Sequence, residues 1–428
     1  MKKIIICGDT SGFYSHSIHR NELFSNTEEI KYVEMVGFDL PNRTVVIKLE
    51  EFDVSEDNSY LFLLSYNDID SRDTAVDEEI LKELSRGKIK LVIDRGGEFI
   101  NEFDIDKLGY MDTSNIRQNI RKLDIDIVFI SMNLGKKLFE KRWAEANSGK
   151  STIYREVRVM EVGFDQQLVE CAWNVPKVLD DVEDFYFKDL SEYKKTHRFI
   201  CLNATFSPQR LLIISKILDG ELDKKSMISM VNKTNVSDDK MLLNLKTFSK
   251  SIDEKSISRT ISKLPIIFDM TVEEFETSIR FVNPMLVDED YILNLKKSYF
   301  SLVTEADINP FFKNNPCKIT EKIYKAISFH PFIIIGGCGI LKYIRSLGFK
   351  TFPEMFDESY DDIEDNYERI DFIYKEVKKL CDMDDEELHK IYVSIIPKIR
   401  YNCKILHNID TGKILIKLFN DVNKEFNK

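Results

Sequence analysis

No run of the roughly 18 apolar residues needed to span a bilayer occurs in this 428-residue chain. The opening MKKIIICGD has only a brief apolar stretch before an acid, too short for a signal-peptide core, so a cytoplasmic setting is expected. Cysteine is sparse: there are 7, an odd number with no C-x-x-C pair, which argues for reduced thiols rather than a disulfide framework. Basic charge is in deficit, with 61 Lys and Arg against 73 Asp and Glu and a net charge of -12. That balance weakens any reading in which the whole surface wraps duplex nucleic acid, although a local basic groove stays open. No internal repeat or low-complexity tract occurs. SGKST at Ser148 to Thr152 resembles the end of a phosphate-binding P-loop but has Ala144 where that motif requires glycine. His16 and His19 have no third ligand in view, and no metal is expected.

What is present describes an ordinary globular protein, 43% hydrophobic and 31% charged, long enough for two domains of roughly 200 residues. Its first half alternates strand-like runs (IIIC, KYVEMV, VVIKL, YLFLLS, IKLVID, DIVFIS) with helical stretches at 74–86 and 112–122. Such alternation predicts an α/β domain with a mostly parallel sheet, in which ligands sit beyond the carboxyl ends of the strands. Asp9, Asp68, Asp94, Glu98 and Asn133 follow those ends. The charged stretch leading to His197 reads as a connection, dividing the chain into domains 1–180 and 198–428 with a linker at 181–197. RFICLN then restarts the rhythm, followed by a helix at SPQRLLIISKILDG and a strand at SMISMV. From Asp362 onward the pattern is helical nearly to the end.

The densest stretch runs from Ser298 to Phe352: strand, loop, helix, strand, glycine turn, helix. Its first helix starts at Thr320, an N-cap residue type, followed by Glu321 and Lys322. Unpaired amides at a helix start attract anions, and a lysine beside them adds a full charge. A glutamate cannot help with phosphate but can accept from ribose hydroxyls, so the pair suits a nucleoside diphosphate. The alternative reading of the same two residues is an exposed ion pair. Gly336, Gly337 and Gly339 end the PFIII strand, where a missing side chain would let backbone approach a ligand, as any strand-to-helix corner also could.

FSLVTEAD followed by ITEKIYKAISFHPFIIIG resembles the donor-site signature of the alpha-1,3-fucosyltransferase family. The LGFKTF run and E-S-Y-D-D at Glu358 to Asp362 resemble uncharacterised glycosyltransferase-like proteins of phages and bacteria. The resemblance covers mainly the C-terminal half. It implies two Rossmann-like domains facing across a cleft, the GT-B architecture, with a helical C-terminal segment. It implies a glycosyltransferase taking a nucleoside-diphosphate sugar as co-substrate and needing no cofactor; the cytoplasmic setting expected above would be the host's if the chain is viral. Arg210 matches the arginine that contacts the diphosphate in that family, its alternative being a solvated helix arginine. Glu305 matches the glutamate of the F-E-N-S run at the donor cleft, its alternative a strand-end carboxylate. Thr320, Glu321, Lys322, Gly336 and Gly337 complete the implied donor wall. Ala306 and Asp307 replace the asparagine and serine of that run, so neither sugar nor base carries over.

An inverting transfer needs a base for the acceptor hydroxyl. Glu98 in LVIDRGGEF is the first candidate, Asp94 the second and Asp9 the third. Competing readings are a metal-dependent GT-A transferase using Asp68 and Asp70 of a D-I-D triplet, a non-catalytic nucleotide-sugar-binding or virion protein, and a DNA-modifying transferase. The acceptor, whether glycan, protein or nucleic acid, is open, as is the oligomeric state.

Overall fold

Short apolar runs spaced by amphipathic ones assemble into two sheets. The computed structural model describes the backbone of seven strands plus Leu168 in the first 185 residues. Beyond them it describes 186–410 except 232–235, 249–252, 269–288, 306–307 and 309–318, and also Ile414. Two units result, 1–166 with 410–428, and 167–409.

The first unit contains β1 (Ile4–Cys7), β2 (Ile30–Lys31), β3 (Thr44–Ile47), β4 (Ser59–Ser65), β5 (Ile89–Arg95), β6 (Ile127–Ser131) and β7 (Val159–Gly163). Their order is β2-β3-β1-β4-β5-β6-β7. All neighbours are parallel except the β2–β3 pair. Chain order reverses about β1, the arrangement of a doubly wound α/β sheet. The expected KYVEMV strand overlaps this sheet only at Lys31, since 32–36 lie outside the described residues. Strand β7 was not anticipated, because Glu161 interrupts its apolar run.

The second unit holds a four-stranded parallel sheet of order β11-β10-β8-β9, from β8 (His197–Asn203), β9 (Met227–Met230), β10 (Ser298–Thr304) and β11 (Phe332–Ile335). Every residue of β9, β10 and β11 is buried, consistent with their mainly apolar sequences, and Ser229, Ser298, Ser301 and Thr304 are buried polar exceptions. Eight described helices accompany it: α1 (Pro208–Asp219), α2 (Asp238–Phe248), α3 (Glu254–Ile261), α4 (Glu289–Lys297), α5 (Glu321–Phe329), α6 (Ile340–Ser346), α7 (Asn366–Asp382) and α8 (Asp385–His407). Helix α1 starts at an extended Ser207 with proline in its first turn, where the missing N–H costs no helical bond. Asp365 and Asp384 cap α7 and α8 by accepting backbone N–H bonds. In α5, Ile323, Tyr324, Ala326, Ile327 and Phe329 are all buried. Each large apolar side chain there contributes about 1.5–3 kcal/mol.

Residues 186–196, read from sequence as part of a connection, pack within this second unit. Tyr186, Phe187 and Leu190 are buried while Lys188 and Asp189 are exposed, so the charges lie on one side of an amphipathic segment. Tyr186 Oη donates to Phe329 O at 2.5 Å, and Thr196 N to Lys297 O at 3.0 Å. Lys195, 7% exposed, donates through Nζ to Lys296 O at 2.7 Å and Tyr392 Oη at 3.0 Å. Burial, reinforced by the Lys296 ammonium and opposed by Asp189, lowers its pKa to about 6. The unfolded chain therefore binds this proton more tightly, and stability climbs as pH rises from about 6 toward the usual lysine value of about 10.4. Lys195→Met should flatten that climb by up to about 1.4 kcal/mol per pH unit, measured by urea melts between about pH 6.5 and about pH 8.5.

Candidate functional site

In the second sheet β8 leads to β9 on one side, and the chain then crosses to β10 and β11 on the other. The order therefore reverses between β8 and β10, and the carboxyl ends of those strands form the crevice where parallel sheets bind ligands. The two strand ends are joined there by Thr304 Oγ1 donating to Asn203 Oδ1.

Helix α1 leaves β8 at this point. Arg210, 1% exposed, donates from one terminal nitrogen to Thr205 O at 3.2 Å and Thr205 Oγ1 at 2.6 Å. Its other terminal nitrogen donates to Thr304 O at 3.1 Å. Burial disfavours its charge, and the carboxylates of Glu305 and Glu321 support it. Gln209 Nε2 donates to Glu305 O at 2.7 Å. Among the described residues, two buried polar atoms of this helix start, Arg210 Nε and Ser207 Oγ, have no hydrogen-bond partner. The first turn of α1 carries no acid, and the Ser207 side chain does not cap it. Buried polar groups ordinarily find partners, and an acceptor placed at this helix start would satisfy both atoms.

The start of α5 is furnished differently. Glu305, 0% exposed, accepts Thr320 N on Oε1 and Thr320 Oγ1 on Oε2, each at 2.8 Å. Lys322 Nζ donates to Thr320 Oγ1 at 3.2 Å and Glu321 Oε1 at 2.5 Å. Burial raises the Glu305 pKa, with Lys322 opposing and Glu321 adding to the rise. Burial also pushes Glu321 upward, but the Lys322 ammonium and its hydrogen bond outweigh this and hold it below the usual carboxyl value.

A third helix start, that of α6, follows the glycine turn. Asp361 fills it, its carboxylate accepting Leu341 N at 2.9 Å and Lys342 N at 3.1 Å. A Cβ on Gly336 would lie 2.4 Å from Ile340 Cδ1, so the space the glycine leaves is taken by packing within the turn. Gly336 O accepts Arg369 Nε at 3.0 Å, and Gly337 O accepts Ile340 N at 3.3 Å. The E-S-Y-D-D run binds this corner together. Glu358 accepts Phe352 N at 2.7 Å and Thr351 Oγ1 at 2.9 Å, and pairs with Arg345 at 2.5 Å.

Of the residues singled out from sequence, Arg210, Glu305, Thr320, Glu321 and Lys322 thus converge at one end of one sheet. Gly336 and Gly337 adjoin them, since Glu305 N donates to Ile335 O at 2.9 Å. The Glu305 carboxylate is enclosed, with both oxygens engaged by Thr320. Asp94 lies near the carboxyl end of β5, in register with Ser65 and Ile130, while Glu98 lies outside the described residues. So do Asp9, Asp68, Asp70, Asn133, His16, His19 and Ser148 to Thr152. His330 ends α5, fully buried between Ser301 Oγ (2.8 Å) and Ser298 O (2.9 Å), and burial lowers its pKa to about 3. Sequence reasoning missed Asn203, Ser207, Gln209 and Thr304, and marked Asp361 only as part of the E-S-Y-D-D run. Asn203 and Thr304 end apolar strands, a signal that could have found them.

Among the described residues no group of three or more His, Cys, Asp or Glu could hold a metal ion, and no helix is long and apolar enough to cross a membrane. No protein-family model and no curated protein matches the chain. Among solved structures the chain is similar to the trehalose-6-phosphate synthase OtsA, at 11% identity and TM-score 0.42 over 86% of this chain and 72% of that one. It is also similar to Anabaena HepE in complex with UDP-glucose, at 10% identity and TM-score 0.39 over 98% and 99%. A UDP-forming alpha,alpha-trehalose-phosphate synthase from Burkholderia xenovorans gives 7% identity and TM-score 0.40 over 99% and 100%.

Proposed function

We propose that this protein is a glycosyltransferase of the GT-B class. It takes the sugar of a nucleoside-diphosphate sugar, held at the carboxyl edge of the second sheet, to an acceptor hydroxyl with inversion and without an essential metal. The observation that carries the reading is the contrast among the three helix starts at that edge. Those of α5 and α6 already hold the carboxylates of Glu305 and Asp361. Among the described residues that of α1 holds none and keeps Ser207 Oγ and Arg210 Nε unpartnered. An entering diphosphate supplies the acceptors those donors lack.

The roles follow from charge and hydrogen-bonding capacity. Arg210 and the α1 amides receive the diphosphate, with Lys322 adding a second cation. Glu321, kept ionised by Lys322, accepts from the ribose hydroxyls. The departing nucleoside diphosphate carries the charge that develops in the transition state, and these two cations stabilise it in the place a divalent ion would otherwise take. Asp94 or Glu98 of the first unit is the proposed base for the acceptor hydroxyl.

Incubating the protein with UDP-, GDP- and ADP-sugars in the presence of a chelator tests this reading. Slow release of nucleoside diphosphate from one donor, with water taking the sugar in place of the acceptor hydroxyl, is the expected result. Release restored only by added metal would overturn metal independence, and binding without any release would leave a nucleotide-sugar-binding protein.

A further inference from the structure

Arg210 and Lys322 stand on different helices, so one diphosphate can use both only if the starts of α1 and α5 keep a fixed spacing. The groups able to fix it meet at the end of β10. Helix α1 is fastened to two consecutive carbonyls, Arg210 to Thr304 O at 3.1 Å and Gln209 to Glu305 O at 2.7 Å. Helix α5 is fastened to the Glu305 carboxylate through both the amide and the hydroxyl of Thr320. The Glu305 amide in turn donates to Ile335 O at 2.9 Å, continuing the ladder from β10 to β11 by one residue. A single buried residue thus ties two strands to two helix starts.

The hydroxyl of Thr320 adds directionality. It has one proton, which goes to Glu305 Oε2, so the lone pair left over faces Lys322 Nζ at 3.2 Å. A carboxylate can only accept, so Glu305 sets the polarity of that hydroxyl and thereby the place of the ammonium. We propose that Glu305 is a positioning residue of the nucleotide site proposed above. It touches no ligand, and acts through Thr320 to hold Lys322 and the α5 start in register with Arg210.

The test uses the full chain with Glu305→Gln, Thr320→Val and Thr320→Ser. Glutamine keeps the shape but can donate to the Thr320 oxygen, reversing its polarity; valine removes the hydroxyl; serine keeps it. Backbone hydrogen exchange across 319–323 should quicken by about tenfold in the Gln and Val variants, the loss of one charge-assisted bond. The probe is whichever of ADP, CDP, GDP and UDP most raises the wild-type melting temperature. Its affinity, measured well below each variant's own melting temperature, should fall by about tenfold in both variants, and Thr320→Ser should recover most of what Thr320→Val loses. Unchanged exchange in both variants would overturn the inference, as would equal or tighter diphosphate binding by Glu305→Gln, which would make its carboxylate merely repulsive. If the wild type binds none of the four, the proposed function fails and the exchange result alone still decides whether Glu305 fixes the α5 start.

Discussion

Lys322→Ala is expected to weaken nucleoside diphosphate binding by about ten- to a hundredfold, the value of a charge-assisted hydrogen bond to phosphate. Its side chain is 33% exposed and packs into no core, so its removal leaves the apolar interior of α5 intact. The cost to the fold falls on Glu321, whose enclosed carboxylate loses its closest cation but keeps the field of Lys325. That cost should be about 1 kcal/mol at neutral pH. Its sign with pH follows from linkage. Glu321 has a folded pKa below its unfolded value, so the stability it confers is present above about 4.3 and is lost as pH falls through the folded value. The gap in stability between wild type and Lys322→Ala should therefore close on acidification. Isothermal titration gives the affinity and urea melts at two pH values give the gap. A variant that binds nucleotide as tightly as wild type would remove Lys322 from the site.

The largest expected loss of stability is at Arg369. The residue is 1% exposed on α7, and its guanidinium donates to Gly336 O at 3.0 Å, to Glu364 O at 3.2 Å, to Ile363 O and to Asn366 Oδ1. These bonds join the glycine turn after β11 to the loop that enters α7. Replacement by alanine takes this donor from the buried Gly336 carbonyl and from the part-buried carbonyls of Ile363 and Glu364, and opens a cavity the size of a long side chain. The expected cost is about 3–5 kcal/mol, with the melting temperature roughly 10 °C lower. Arg369→Lys should not rescue it, since one ammonium cannot reach acceptors spread as a guanidinium fork spreads them. A drop of only a degree or two on heating would contradict the account of this corner.

Much of the second unit was legible because its strands are largely buried and therefore read as mainly apolar runs between helical patterns. The helix starts were legible too, since Thr320 and Pro208 are marked by residue type alone. What could not be read is which acid meets which helix. Asp361 reaches α6 from twenty residues downstream of Leu341, and Glu305 meets Thr320 across a loop. Neither pairing has a periodicity to betray it. The segment before β8 was read as a connection because its charges are conspicuous in sequence, while the aromatic side that anchors it shows only in three dimensions. Gly336 illustrates the same limit: the sequence marks a place where a side chain is missing, and packing decides that Ile340 uses it.

A thermal-shift series on the wild-type chain with ADP, CDP, GDP and UDP beside the matching monophosphates tests the proposed diphosphate site at the start of α1 most directly. A diphosphate at about a hundred times its dissociation constant should stabilise the fold by about 2.7 kcal/mol and raise the melting temperature by several degrees, with its monophosphate giving much less. Equal shifts for monophosphate and diphosphate, or no shift with any of them, would contradict a diphosphate site at Ser207 and Arg210.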